Sequence, residues 1–155
     1  MYKKHDRLDE AEPLYLESLR IEEKLYGRES GIVAETVINL AALYQKQGRV
    51  DEAEAHFLEC VETNEKVYGR QSRKVAFTLN ALAKLYVKQD RLDEAEAHFR
   101  EALGIMERIA GRESTPVADT LQELANLYKD QGRVEEADHL TEECRVIREK
   151  VLSKR

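Results

Sequence analysis

Arg49-Val-Asp-Glu-Ala-Glu54 decides the fold, because the chain writes nearly the same six residues three more times. Arg7-Leu-Asp-Glu-Ala-Glu12 and Arg91-Leu-Asp-Glu-Ala-Glu96 differ from it at one position, and Arg133-Val-Glu-Glu-Ala-Asp138 is a close variant. The starts at 7, 49, 91 and 133 are each 42 residues apart. A fixed period of this size means a stack of supersecondary units, each burying its apolar face on its neighbours. Such stacks mostly present surfaces to partners. An active site would have to lie in residues that break the repeat.

Each period reads as two helices. Val33, Val37, Leu40, Ala41 and Tyr44 recur at i, i+4, i+7, i+8 and i+11, one stripe of a helix. Gly48 ends that helix, and a second runs from about Asp51 to Tyr68 with Ala53, Phe57, Cys60, Val61 and Val67 inward. Gly69 stops it, in register with Gly27 and Gly111. Ser30, Ser72 and Ser114 precede each first helix as N-caps, and Pro116 sits in a first turn where its missing N–H does no harm. The columns hold across periods: Leu40, Leu82 and Leu124; Ala41, Ala83 and Ala125; Tyr2, Tyr44, Tyr86 and Tyr128; Tyr15, Phe57 and Phe99. No strand pattern competes.

At 155 residues the chain is one domain by length, and 42% apolar residues are enough for a core. A formal charge of −6 argues against nucleic acid or an anionic membrane as partner. The Met1-Tyr-Lys-Lys-His-Asp6 start lacks the apolar run of a signal peptide, and no stretch approaches a membrane span. Cys60 and Cys144 share one repeat position, filled elsewhere by Ser18 and Ala102. They lie two repeats apart, beyond disulfide reach, so a reduced, cytoplasmic location is expected.

The columns resemble the tetratricopeptide repeat, a helix–turn–helix unit of about 34 residues. The signature Leu, small residue and Tyr appears as Leu40-Ala41 and Tyr44, with Ala53 and Phe57 at the later positions; Val37, Leu79 and Leu121 replace the family's tryptophan. The longer period is similar to the kinesin-light-chain type, matched at Val33 to Ala41, Val75 to Ala83 and Val117 to Ala125. The resemblance implies an all-α, right-handed α-solenoid of stacked antiparallel helical hairpins. The expected layout is a single repeat domain, 1-155. It comprises a partial repeat at 1-27 (a truncated first helix and a second helix), repeats at 28-69 and 70-111, and a repeat at 112-155 with a C-terminal capping helix. In that last helix Thr141 and Arg145 replace apolar columns.

Nothing catalytic is assembled in the sequence. His56 and His98 share one repeat position and read as structural, while His56 and Cys60, at i and i+4, are two metal ligands where zinc needs three or four. There is no phosphate-binding glycine loop and no activated serine. The repeated carboxylate box reads as helix starts facing water. No cofactor, metal or catalytic residue is expected.

The candidate site is the first-helix face opposite the core. It carries Glu35, Ile38, Asn39, Ala42 and Lys46, then Phe77, Asn80, Ala81, Lys84 and Lys88, then Asp119, Gln122, Glu123, Asn126 and Asp130. In tetratricopeptide proteins this face lines a concave groove that grips extended peptides, and an asparagine amide both donates to and accepts from a peptide backbone. The family's paired asparagines are half kept in Ile38-Asn39 and Asn80-Ala81, and absent from Gln122-Glu123. These positions vary while the core columns hold, and Phe77 is a large aromatic on a charged face. The expectation is a non-catalytic scaffold for a protein or peptide, with an acidic ligand group over Lys84 and Lys88 and a basic one near Asp119, Glu123 and Asp130. The alternative is a structural spacer of a longer repeat array with an idle groove. At the N-terminal edge, Leu8, Ala11, Leu14, Tyr15, Leu19 and Leu25 lack a full preceding helix. Either a weak homodimer or continuation of a longer chain is expected there.

Overall fold

The computed structural model describes residues 2–154, with side chains from Arg7 to Lys154. Seven helices follow one another: α1 Tyr2–Tyr26, α2 Gly31–Lys46, α3 Val50–Tyr68, α4 Arg73–Lys88, α5 Leu92–Ala110, α6 Thr115–Asp130 and α7 Val134–Ser153. There is no strand among the described residues. The chain divides into two compact units, Met1–Arg70 and Gln71–Arg155.

In the first unit α2 and α3 form a hairpin and α1 packs on α2. In the second, α4 pairs with α5, α6 pairs with α7, and α5 packs on α6. The expected columns form the cores. Leu40, Leu82 and Leu124 are 0%, 0% and 1% exposed, and Ala53, Phe57, Ala95 and Phe99 are buried beside them. Fully burying a leucine is worth about 1.5–3 kcal/mol, so these columns supply most of the driving force. Small residues let the helices close up: the Cys60 Sγ donates to the Ala34 carbonyl at 3.3 Å, and Cys144 repeats the contact with Ala118 at 3.3 Å.

The turns between hairpin helices require a left-handed residue, φ 79° at Gly48 and 77° at Gly132. The middle turn places Asp90 there, at φ 61°. Ser30 and Ser72 cap as expected, accepting from the Val33 and Val75 amides at 3.1 and 3.2 Å. Ser114 does not: its backbone is extended, but its hydroxyl donates to the Gly111 carbonyl at 2.8 Å instead.

Three expectations are corrected. The leading stub and its following helix are one continuous helix, α1, with Pro13 inside it. Asp6 occupies the turn column of Gly48, Asp90 and Gly132, yet its backbone is helical. Tyr2 and His5 fall outside the described side chains. Val67 is 40% exposed rather than inward, as is Ile109 in the same column. The second helices α3 and α5 have 19 residues against 16 in α2 and α4, so their last turn overshoots the hairpin mate.

The third correction concerns the carboxylate boxes. The last glutamate of a box does not simply face water. Glu12 on α1 accepts from Arg49 Nη1 at 2.8 Å and from the Tyr44 hydroxyl at 3.3 Å. Arg49 lies 4.1 Å over the Tyr44 ring and forks onto Glu52 at 2.8 and 2.6 Å. The second unit repeats the device. Glu96 takes Arg133 at 2.9 Å and Tyr128 at 2.8 Å, with Arg133 3.9 Å over the Tyr128 ring and forked onto Glu136. Within each unit a box thus staples two repeats through a planar guanidinium, which suits both stacking and bidentate bonding.

Candidate functional face on the first helices

Ridge spacing places the predicted row on the solvent side of each first helix, because the opposite side carries the core leucines. On α2, in the first unit, Glu35, Asn39 and Lys46 are exposed and Ile38 is half-buried. On α4 Phe77 is 62% exposed, Lys84 and Lys88 are exposed, and Asn80 is half-buried. On α6 Asp119 and Asn126 are exposed, while Gln122 and Glu123 are half-buried.

Within the second unit the α4 and α6 rows meet. The Asn80 amide nitrogen donates to Thr120 Oγ1 at 3.4 Å, while Thr120 itself donates to the Pro116 carbonyl at 3.0 Å. That leaves Asn80 Oδ1 buried without a hydrogen-bond partner. Lys84 Nζ lies 3.5 Å from Glu123 Oε1. Gln122 Nε2 donates to Asn126 Oδ1 at 3.1 Å, and Arg148 on α7 donates to Asp119 at 3.1 Å. The expected charge gradient is therefore partly answered inside the chain: Lys84 is shared with Glu123 and Asp119 with Arg148. Lys88 is exposed one turn beyond Lys84.

The histidines and cysteines are held by the fold. His56 Nδ1 is 2.8 Å from the Glu52 carbonyl, and its ring meets Tyr44 edge-on at 5.2 Å. His98 makes the same ring contact with Tyr86 at 5.4 Å. Burial pushes the Cys60 thiol up to about 12, so it stays protonated at neutral pH and is no nucleophile. A shallow recess of about 280 Å³ beside α7 is lined by Arg112, Glu143, His139 and Lys150 among others. Its histidine and Arg112 both turn to Glu143, with His139 Nε2 at 2.8 Å from that carboxylate.

The residues that sequence reasoning missed are the staples. Burial alone would raise the Glu96 carboxyl, but hydrogen bonds from Tyr128, Arg100 and Arg133 hold it below the usual carboxylate range. The signal was present: Arg, Glu and Tyr columns recur with the same period as the leucines.

Comparison with known proteins agrees with this geometry. No curated protein matches the chain at a significant level. Among solved structures, BtubC (BKLC) from P. vanneervenii is 28% identical with a TM-score of 0.86, covering 97% of this chain. The chain spans 60% of the length of that protein. A Podosopora anserina protein described as a putative kinesin light chain with nearly identical TPR-like repeats is 24% identical, with a TM-score of 0.79 over 97% of this chain and 71% of its own. A single-substitution form of the same protein gives 23%, 0.81, 98% and 72%. At those identities the last two show the fold alone: a kinesin-light-chain-like stack of helical repeats, as the period led one to expect. The tetratricopeptide repeat pattern itself matches residues 32–108 and 78–150, most of the sequence. The chain belongs to the tetratricopeptide repeat family.

Proposed function

We propose that the chain is a non-catalytic interaction scaffold whose α4–α6 face grips an extended segment of a partner protein. Tetratricopeptide repeats are in general protein–protein interaction modules, not enzymes. The observation that carries the reading is Phe77, 62% exposed at a position that holds Glu35 and Asp119 in the neighbouring repeats. A large aromatic kept in water where its equivalents are acids has no packing reason to be there. Around it, half-buried Gln122 and exposed Asn126 present amide groups to a peptide backbone. The segment that fits carries an apolar side chain against Phe77 and an acidic group toward Lys88.

A second reading, the spacer with an idle face, is favoured by the Lys84–Glu123 and Arg148–Asp119 pairs, which answer charges within the chain. Selection of displayed random extended peptides against the chain separates the two. The scaffold reading expects enriched peptides sharing an apolar residue and losing binding to Phe77→Ala and Asn126→Ala. Absence of any enrichment over an unrelated helical protein supports the spacer and refutes the scaffold.

A further inference from the structure

On α1, Leu14, Ser18, Ile21 and Leu25 fall at i, i+4, i+7 and i+11, a single stripe. Leu14 is 67%, Ile21 48% and Leu25 69% exposed, and Ser18 is exposed between them. Leu14's column is half-buried in the other repeats and Leu25's is 40% exposed at Val67 and Ile109, but the equivalents of Ser18 and Ile21, namely Cys60 and Thr63 on α3, Ala102 and Ile105 on α5, and Cys144 and Ile147 on α7, are all buried. There the hairpin mate covers them. Leu19, on the flank that faces α2, is only 8% exposed, so the bare stripe is not a failure of α1 to pack.

We propose that this stripe is a self-association site, taken by α1 of a second copy lying antiparallel across it. The alternating four- and three-residue spacing is that of a coiled-coil seam. Run antiparallel about a two-fold axis, it sets Leu14 against Leu25 of the second copy and Ser18 against Ile21, so every large side chain meets a seam residue. The same register brings Glu17 beside Lys24 of the second copy, and Lys24 beside its Glu17. Both residues are exposed, and among the described residues neither has an ion-pair partner within the chain. A parallel arrangement would instead put Glu17 beside Glu22 of the second copy, a repulsion. The charge pattern therefore selects a second copy, in one orientation.

Sedimentation equilibrium of the full chain tests this, with helical circular dichroism confirming that each variant folds. The expected result is a concentration-dependent dimer that Leu14→Glu with Leu25→Glu abolishes. Glu17→Lys alone and Lys24→Glu alone should each weaken it about tenfold, since each replaces two attractions by two repulsions. Mixing the two single variants should restore association as a heterodimer, because both pairs then become attractive again. A monomer at all concentrations overturns the proposal. So does a dimer indifferent to the Leu14/Leu25 change, or one that loses affinity with the apolar change but ignores all the charge variants.

Discussion

Leu14 on α1 and Phe77 on α4 are both large apolar side chains facing water, 67% and 62% exposed. The repeats explain them differently. In Leu14's stripe the Ser18 and Ile21 columns are buried in the other repeats and Leu14's own column is half-buried there, so its high exposure belongs to α1 and not to the position. The column of Phe77 faces solvent in every repeat and holds Glu35 and Asp119 elsewhere, so its exposure belongs to the position and its aromatic ring to this repeat alone. A repeat protein thus carries its own controls. The same column in three contexts separates side chains that the stack demands from those it leaves free.

The largest effect should come from the columns that the stack demands. Leu82→Ala, on the core side of α4, is expected to cost about 2–5 kcal/mol in urea unfolding. Lys88→Ala on the other side of the same helix should cost less than about 0.5 kcal/mol. Equal costs would mean that the two faces are assigned wrongly.

The contrast between α5 and α1 can be sharpened at one column. Ala102 is fully buried, so Ala102→Leu should overpack and cost about 1–3 kcal/mol. Ser18→Leu, at the equivalent exposed position, should shift monomer stability by less than about 0.5 kcal/mol. A matching loss at both would show that α1 has a cover after all.

Glu96→Gln should cost about 1–2 kcal/mol at neutral pH by weakening the staple to Arg133 and Tyr128. The sign with pH follows from the depressed carboxyl. The stabilisation is fully present above the unfolded glutamate range, near 4.3, and is lost as pH falls toward the lower folded value. Acid titration of the melting point should therefore be shallower in the variant than in the parent chain.

The smallest effect is expected at the middle turn. Asp90 takes the left-handed conformation that glycine supplies at Gly48 and Gly132. Asp90→Gly should stabilise by roughly 0.5 kcal/mol, relief of backbone strain outweighing the added freedom of the unfolded chain. Thermal melts of the two proteins side by side give the sign.

Much of this was legible in the sequence, for physical reasons that differ by feature. The leucine, alanine and tyrosine columns announced the helices because burial demands the same side chain at each repeat. The placement of Phe77, Asn80 and Lys88 on one face followed from the turn of the helix. The continuous α1 was not legible, since an aspartate takes the left-handed turn at Asp90 and stays helical at Asp6, so residue type alone does not decide. Nor was the exposure of Val67, which depends on a second helix outrunning its mate. The pairing of Lys84 with Glu123 joins side chains on separate helices, and local periodicity carries no information about it.

Phe77→Asp offers the most direct test that the free column, not the demanded one, carries function. It installs at Phe77 the acidic character that the neighbouring repeats have there, so the fold should be indifferent. The expected result is a melting temperature unchanged from the parent chain, together with loss of binding to peptides selected on the α4–α6 face. A melting temperature lowered as far as by Leu82→Ala, with peptide binding intact, would contradict it.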